Sequence, residues 1–380
     1  MFVNEIMTKE VLSVSPDDNI SEVMSLIERE HVHEIFVIDG KRLKGIIHSR
    51  KLVTKTIMDP AKTKVSTIMV SPPPTVKSNE SVDEVAKILA KTGLRAILVC
   101  ENNEVVGVVS ITDVMEVAAQ SKIFRQTPVS SIMSSPDVIG YNEGIGKARV
   151  FMREKNITHL PVVDEEGKLK GLITSFDILK SVKRKERMDY YSMEAEMEKI
   201  TKIPVSTILN KEPITAEKNM PLSEISKLMI KHDIAGVVIT ENQYPVGIVT
   251  PKDLLEFYVS GLQPKGVYYQ IIGIDKEDEF VLETADRMIR DFLQKISTVY
   301  TPQYLFVHVK RHEEGEKNRI KYSIRTRLMT DRGIFVSKGW EWDLRDAVNH
   351  TLRNLEKIIF KKKEISRERS RTNERKVKEL

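Results

Sequence analysis

The sequence predicts a chain in two parts, four copies of an α/β unit followed by a separate α+β domain, and three observations carry that reading. An Ile-Met or Ile-Leu pair is followed 39 residues later by Gly and a short apolar strand four times over, at Ile6/Gly45, Ile68/Gly107, Ile132/Gly171 and Ile208/Gly247. That recurrence stops near Pro264, where a different order of elements begins. The charge is also uneven: residues 265–380 hold 26 basic against 19 acidic side chains, a net +7, within a chain whose total is +5. Self-similarity at a fixed spacing means that each copy buries its apolar face by pairing with a neighbour.

Each copy reads, after a short leading strand, as helix, strand, strand, helix. In the third, Ile145 to Glu154 has helical content, Thr158-His159-Leu160-Pro161-Val162-Val163 is a strand, Asp164-Glu165-Glu166-Gly167 a turn, and Leu169 to Thr174 a second strand. The other turns are Asp39-Gly40, Glu101-Asn102-Asn103 and Glu241-Asn242-Gln243. Successive repeat glycines are 62, 64 and then 76 residues apart, so extra chain separates the third and fourth copies. The expected divisions are a first pair at 1–120, a third repeat at 121–182, a helical connector at 183–203 and a fourth repeat at 204–262.

The 380 residues and 41% apolar content allow two or three ordinary cores. No run approaches the roughly 18 apolar residues of a membrane span. The start, Met1-Phe2-Val3-Asn4-Glu5, lacks the order of a secretory signal, so a cytoplasmic protein without membrane contact is expected. The single cysteine, Cys100, lies in the apolar run Ala96-Ile97-Leu98-Val99-Cys100 and reads as packing. No HExxH, CxxC pair, Gly-rich phosphate loop or nucleophile–base set is present, and the expectation is a non-enzymatic protein without a metal site.

Chemistry in the repeats belongs where the closing strand turns into the last helix. Copies two, three and four carry hydroxyl-x-x-Asp there, as Ser110/Asp113, Thr174/Asp177 and Thr250/Asp253. Such a set is a helix capping box, which by itself explains the pattern. A carboxylate at this edge is also able to accept both hydroxyls of a ribose.

These residues resemble the CBS domain family, whose tandem pairs form the adenosine-ligand sensors called Bateman modules. The resemblance implies two modules stacked in a disk-like platform, with Ser110, Asp113, Thr174, Asp177, Thr250 and Asp253 as nucleotide-binding residues. It implies AMP, ADP, ATP or another adenosyl compound as ligand, with no cofactor required. Copy one departs from the pattern, because Lys51 stands where the acid belongs and His48 and Arg50 lie nearby. His33, Arg95 and Thr158, just before the middle strands, take the positions that in related domains face phosphate.

Beyond Pro264 the order is β-α-β-β-β-α: Tyr268 to Ile274, Phe280 to Ile296, Tyr304 to Arg311, Arg319 to Leu328, Ile334 to Trp342, then a long helix from Leu344. In the third strand Arg319, Lys321, Ser323, Arg325 and Arg327 alternate with Ile320, Tyr322, Ile324, Thr326 and Leu328. One sheet face is therefore expected to turn four cations outward, with Lys310, Arg311, Arg332 and Lys338 nearby. Closely spaced like charges repel, and a phosphate backbone relieves that repulsion while releasing counterions, so RNA is the expected partner. Lys361, Lys362 and Lys363 extend the basic set, and residues 363–380 form a basic tail, read as a projecting helix or an arm that orders on RNA.

Residues 265–362 resemble the ribosome hibernation factor family, most closely in the helix from Asp343 to Lys357, with its early acid, its Ala347-Val348 pair and its later Leu355-Glu356. The resemblance implies docking on the small ribosomal subunit through ribosomal RNA. A homodimer of the platform tethering two inactive subunits is the expected action, under adenine-nucleotide control. Two other classes remain open at this point: a nucleotide-sensing binder of another RNA, and a regulatory partner of an enzyme or transporter.

Overall fold

Short apolar runs buried at consecutive positions, such as Ile35-Phe36-Val37 and Val237-Val238-Ile239, build the strands of each repeat, and left-handed turns close their hairpins. The computed structural model describes residues 1–30, 32, 34–48, 59–155, 157–183, 203–262, 267–274, 279–314 and 319–378, the side chains of 179, 181–183, 279–280, 313–314, 319 and 364–378 excepted. The chain divides into two compact units, one of Met1–Gln126, Leu222–Asp233 and Pro251–Leu262, the other of Thr127–Pro221, Ile234–Thr250 and Gln263–Leu380.

In the first unit, α1 (Val3–Ile6), β1 (Ser13–Val14), α2 (Ile20–Glu30), β2 (Glu34–Asp39) and β3 (Arg42–His48) make repeat one. Its sheet runs β1-β2-β3, with β1 parallel and β3 antiparallel to β2. Repeat two supplies α3 (Val82–Thr92), β4 (Ala96–Glu101), β5 (Glu104–Ser110), α4 (Ile111–Ala119) and α5 (Lys122–Gln126). Helix α3 starts on a Ser81 side chain that accepts from the Glu84 N–H and stops at Gly93, in the left-handed region at φ 70°. The hairpin β4–β5 turns on Asn102 and Asn103, both at positive φ, a conformation asparagine tolerates better than most residues.

The recurring glycines mark an exchange between repeats. Ile46 and Val70 trade paired backbone hydrogen bonds, as do Thr8 and Val108, so the leading segment of each repeat lies on the closing strand of the other. A Cβ on Gly107 would stand 2.9 Å from the Thr8 carbonyl oxygen, which is why no side chain recurs there. Two helices from the fourth repeat, α8 (Leu222–Lys231) and α9 (Pro251–Gly261), complete this unit. Phe257 packs against Phe124 with ring centres 5.7 Å apart, and the Tyr258 hydroxyl donates to Asp83 at 2.7 Å. Burial and the Asp83 carboxylate together hold that phenol well above its usual range.

In the second unit, β6 (Ile139–Gly140), α6 (Ile145–Glu154), β7 (His159–Val163), β8 (Leu169–Thr174) and α7 (Ser175–Lys183) form repeat three. The fourth repeat adds β9 (Thr215–Glu217), β10 (Val237–Glu241) and β11 (Tyr244–Val249). The same exchange recurs, between Leu172 and Asn210 and between Ser134 and Ile248. Leu209 and Val205, from the leading segment of repeat four, enter the core built by Ile145, Leu160, Val162 and Ile173 of repeat three. Apart from its end residues, the connector expected at 183–203 lies outside the described residues.

The terminal domain comprises β12 (Tyr268–Ile272), α10 (Glu279–Ser297), β13 (Pro302–Glu314), β14 (Arg319–Thr330), β15 (Gly333–Glu341) and α11 (Leu344–Lys378). Its sheet order is β12-β13-β14-β15, parallel at the first pairing and antiparallel afterwards. One face carries the core: Ile289, Phe292 and Ile296 of α10 and Val348, Leu352 and Leu355 of α11 close over Leu305, Val307, Ile324 and Leu328. The stretch expected as a basic tail at 363–380 continues α11 as helix to Lys378. Among the described residues no helix is long and apolar enough to cross a membrane.

Candidate functional site

The repeat edges come first. Ser110 is the N-cap of α4: its hydroxyl accepts from the Asp113 N–H at 3.3 Å, while Asp113 Oδ2 accepts from the Ser110 N–H and hydroxyl, both at 2.7 Å. Thr174 and Asp177 repeat this at the start of α7, with Asp177 Oδ2 at 2.7 Å from the Thr174 N–H and 2.6 Å from its hydroxyl. The caps thus form as the capping motif dictates, and all of their carboxylate bonds converge on one oxygen. The second oxygen of each acid takes no part in the cap. The fourth copy differs, since Asp253 is buried, at 3% exposure, while Thr250 is half-buried.

In repeat one, Ser49, Arg50 and Lys51 lie outside the described residues, as does His33. His48 Nδ1 stands 3.9 Å from Glu34, whose carboxylate accepts the Arg95 backbone N–H at 2.9 Å. Burial raises the Glu34 carboxyl above its ordinary value, an effect that the Arg95 contacts oppose. Thr158 bonds the ring of its neighbour His159 at 3.0 Å.

The second face of the terminal sheet holds most of the basic residues read from the sequence. Register places Phe306 opposite Arg327, His308 opposite Arg325, Lys310 opposite Ser323, and Arg325 opposite Lys338. An aromatic row accompanies them: Tyr268 and Tyr304 lie edge-on to Phe306, at 5.5 and 5.4 Å between ring centres, and His308 stacks parallel to it. Lys321 sets its ammonium 3.6 Å over the Trp340 ring.

The expected outward row of cations is corrected here. Arg327 is only 1% exposed and Lys321 9%, and Arg325 and Lys338 are also withdrawn from solvent. For Arg327, Arg325 and Lys338 the cause is a segment of repeat three laid over the face: Arg327 donates to the Ile132 carbonyl, Arg325 to the Ser134 hydroxyl at 2.9 Å, and Lys338 forms an ion pair with Asp137, whereas Lys321 packs against the rings of Trp340 and Trp342. Burial draws the Arg327 guanidinium down to about 9, which leaves it cationic at neutral pH. Lys338 is lowered too, by burial first and then by Arg325, against the pull of Asp137.

The remaining basic residues stand apart from that contact. Arg311, Lys361 and Lys362 are exposed, Lys310 and Lys363 are half-buried, and the Arg332 side chain is 71% exposed with its Nε 3.8 Å from Asp331. Lys362 places its ammonium 4.8 Å over the Phe335 ring. The Arg319 side chain lies outside the described residues. Sequence reasoning missed the aromatic row and the covering segment. The first had a signal, since Tyr304, Phe306 and His308 alternate in the phase of a single strand face.

Two family models match. The CBS domain matches at residues 3–56, 65–120, 129–184 and 205–260, and "Hibernation factor Hib, C-terminal domain" matches at 268–379. A Methanocaldococcus jannaschii protein, MJ1404, is 31% identical over 346 residues, covering 89% of this chain and 80% of that one. A 33.4 kDa protein in the ribosomal RNA operon of Thermofilum pendens is 25% identical over 264 residues, covering 64% of this chain and 87% of the relative. The crystal structure of M. jannaschii MJ1225 superposes with a TM-score of 0.57 at 21% identity, covering 68% of this chain and all of that one, a likeness of fold.

Proposed function

We propose that this chain, which belongs to the CBS-domain family and ends in a hibernation factor Hib C-terminal domain, is a ribosome hibernation factor acting on the small subunit. The observation that carries the reading is the Hib match across 268–379, a domain whose exposed cations Arg311, Arg332, Lys361 and Lys362 suit a phosphate backbone. Bound RNA places the domain on a functional surface of the subunit and occludes it. A homodimer of the CBS repeats gives the assembly two such domains, enough to hold two subunits in one inactive pair. The Thermofilum relative, described by its place in a ribosomal RNA operon, agrees with a ribosomal setting in the cytoplasm.

An adenosyl ligand such as AMP, ADP or ATP is the proposed control. Asp113 and Asp177 keep one carboxylate oxygen in the cap and offer the other to a ribose hydroxyl, so capping and binding coexist on one side chain. Both matched families are regulatory, and the reading assigns no reaction to the chain.

Sedimentation with cognate small subunits through sucrose gradients tests this function. Comigration at low salt, with a peak of paired subunits and steep loss as salt rises, is the expected result. Absence of comigration at low salt would transfer the domain to another RNA or to a protein partner.

A further inference from the structure

Three basic side chains of the terminal sheet reach into repeat three, and all three land within six residues. The Ile132 carbonyl receives Arg327, the Ser134 hydroxyl receives Arg325, and the Asp137 carboxylate receives Lys338. The domain's own apolar core lies on the opposite face of that sheet, under α10 and α11. The face turned to repeat three is therefore not the one that those helices close.

We infer that the segment Ile132–Asp137 and an RNA backbone are alternative occupants of this one cationic, aromatic sheet face, so that the structure holds the domain with that face closed. The inference rests on the RNA-binding reading of the domain. Every acceptor that the segment offers is an oxygen, carbonyl, hydroxyl or carboxylate, which is the kind of acceptor that phosphate and ribose present to Arg and Lys. The two occupants therefore satisfy the same donors, and one excludes the other.

The segment is not a loose cover. Ser134 exchanges both backbone hydrogen bonds with Ile248, and the Met133 side chain fills the space where Gly247 lacks a Cβ. Because the segment belongs to the exchange between repeats three and four, opening the face means moving the terminal domain away from it. Asp137 is the charge that holds the contact together, because it pairs with Lys338 and lies 3.9 Å from Lys155, and without it Lys338 would face repulsion from Arg325 and Lys155 unopposed. One end of the face stays open, where Trp340 and Trp342 are 38% and 47% exposed beside Lys321. Stacking of an unpaired base on these rings gives RNA a first hold before the rest of the face is released.

A closed face lowers apparent affinity by the fraction of molecules that are open. The test uses full-length protein with purified small ribosomal subunits, reading affinity together with acylation of the Lys338 amine by mass spectrometry. Asp137→Lys should bind subunits roughly tenfold more tightly than wild type and expose Lys338 to acylation. Asp137→Asn, close in shape and safer for folding, should move both readings the same way by less. Glu165→Lys, the same charge change on an exposed turn, controls for added positive charge and should leave Lys338 protected.

Lys338 reactive in wild type, or an affinity gain no larger than that of Glu165→Lys while Asp137→Lys exposes Lys338, overturns the competition. If no form binds subunits at low salt while Lys338 still responds to Asp137→Lys, the RNA reading has failed and the competition falls with it, the intramolecular contact alone surviving.

Discussion

Arg327 donates through Nη2 to the backbone carbonyl of Ile132, a residue 195 positions earlier in the chain. A guanidinium in that setting, 1% exposed, is held by the surrounding protein rather than by water. Replacing it by Met, of similar length and no charge, should leave thermal stability near wild type or raise it. Arg327→Glu sets a carboxylate against the Ile132 carbonyl and should cost about 3 kcal/mol, read as a lower urea midpoint.

The exposed cations should control salt dependence. Reversal of Arg332, Lys361 and Lys362 to Glu is expected to weaken subunit binding and flatten its logarithmic salt slope by about 0.7–0.9 for each phosphate that is no longer neutralised. Sedimentation over a potassium chloride series gives the slope. An unchanged slope would place the RNA interface elsewhere on the domain.

The caps and the ligand separate at Asp177. Asp177→Ala loses the carboxylate half of the capping box while the Thr174 hydroxyl still accepts from the N–H at position 177, and should cost about 1 kcal/mol of stability. In Asp177→Asn an amide oxygen still accepts from the Thr174 N–H, so stability should stay close to wild type while calorimetric affinity for AMP falls. Equal AMP affinity in wild type and Asp177→Asn would leave capping as the whole role of this acid.

Gly107→Ala should separate the exchanged segments of repeats one and two. Its Cβ would lie 2.9 Å from the Thr8 carbonyl oxygen, which is backbone and cannot rotate aside, so a loss of about 1–3 kcal/mol is expected in thermal unfolding. Gly261→Ala, with nothing within 4 Å of the added carbon, should be neutral or slightly stabilising.

Glu34 should tie stability to pH. Burial raises its folded carboxyl above the unfolded value, so the folded state binds more protons between the two. Its contribution is complete below the unfolded value and is lost as pH rises through the folded one. Glu34→Gln, which still accepts the Arg95 N–H, should reduce that decline across mildly acidic to neutral pH, measured by urea unfolding at stepped pH.

The repeat plan, the hairpin turns at Asp39-Gly40 and Asn102-Asn103, the caps at Ser110 and Thr174 and the β-α-β-β-β-α order were all legible in the sequence. Each rests on local periodicity, on backbone preferences of Gly and Asn, or on a side chain meeting an N–H three residues away, and such effects are written within a few positions of the chain. The recurrence of Gly at 39 residues from Ile was visible too, but its cause was not, because the carbonyl that crowds Gly107 comes from the other repeat of the pair. The alternation of Arg319, Lys321, Arg325 and Arg327 likewise named a sheet face, but the outward row of cations expected from it was wrong, Arg327 being 1% exposed. A strand alternates identically whether its polar side meets water, RNA or another part of its own chain. Only the tertiary structure decided among these, by bringing Ile132, Ser134 and Asp137 across nearly two hundred residues to Arg327, Arg325 and Lys338, a proximity that no local pattern encodes.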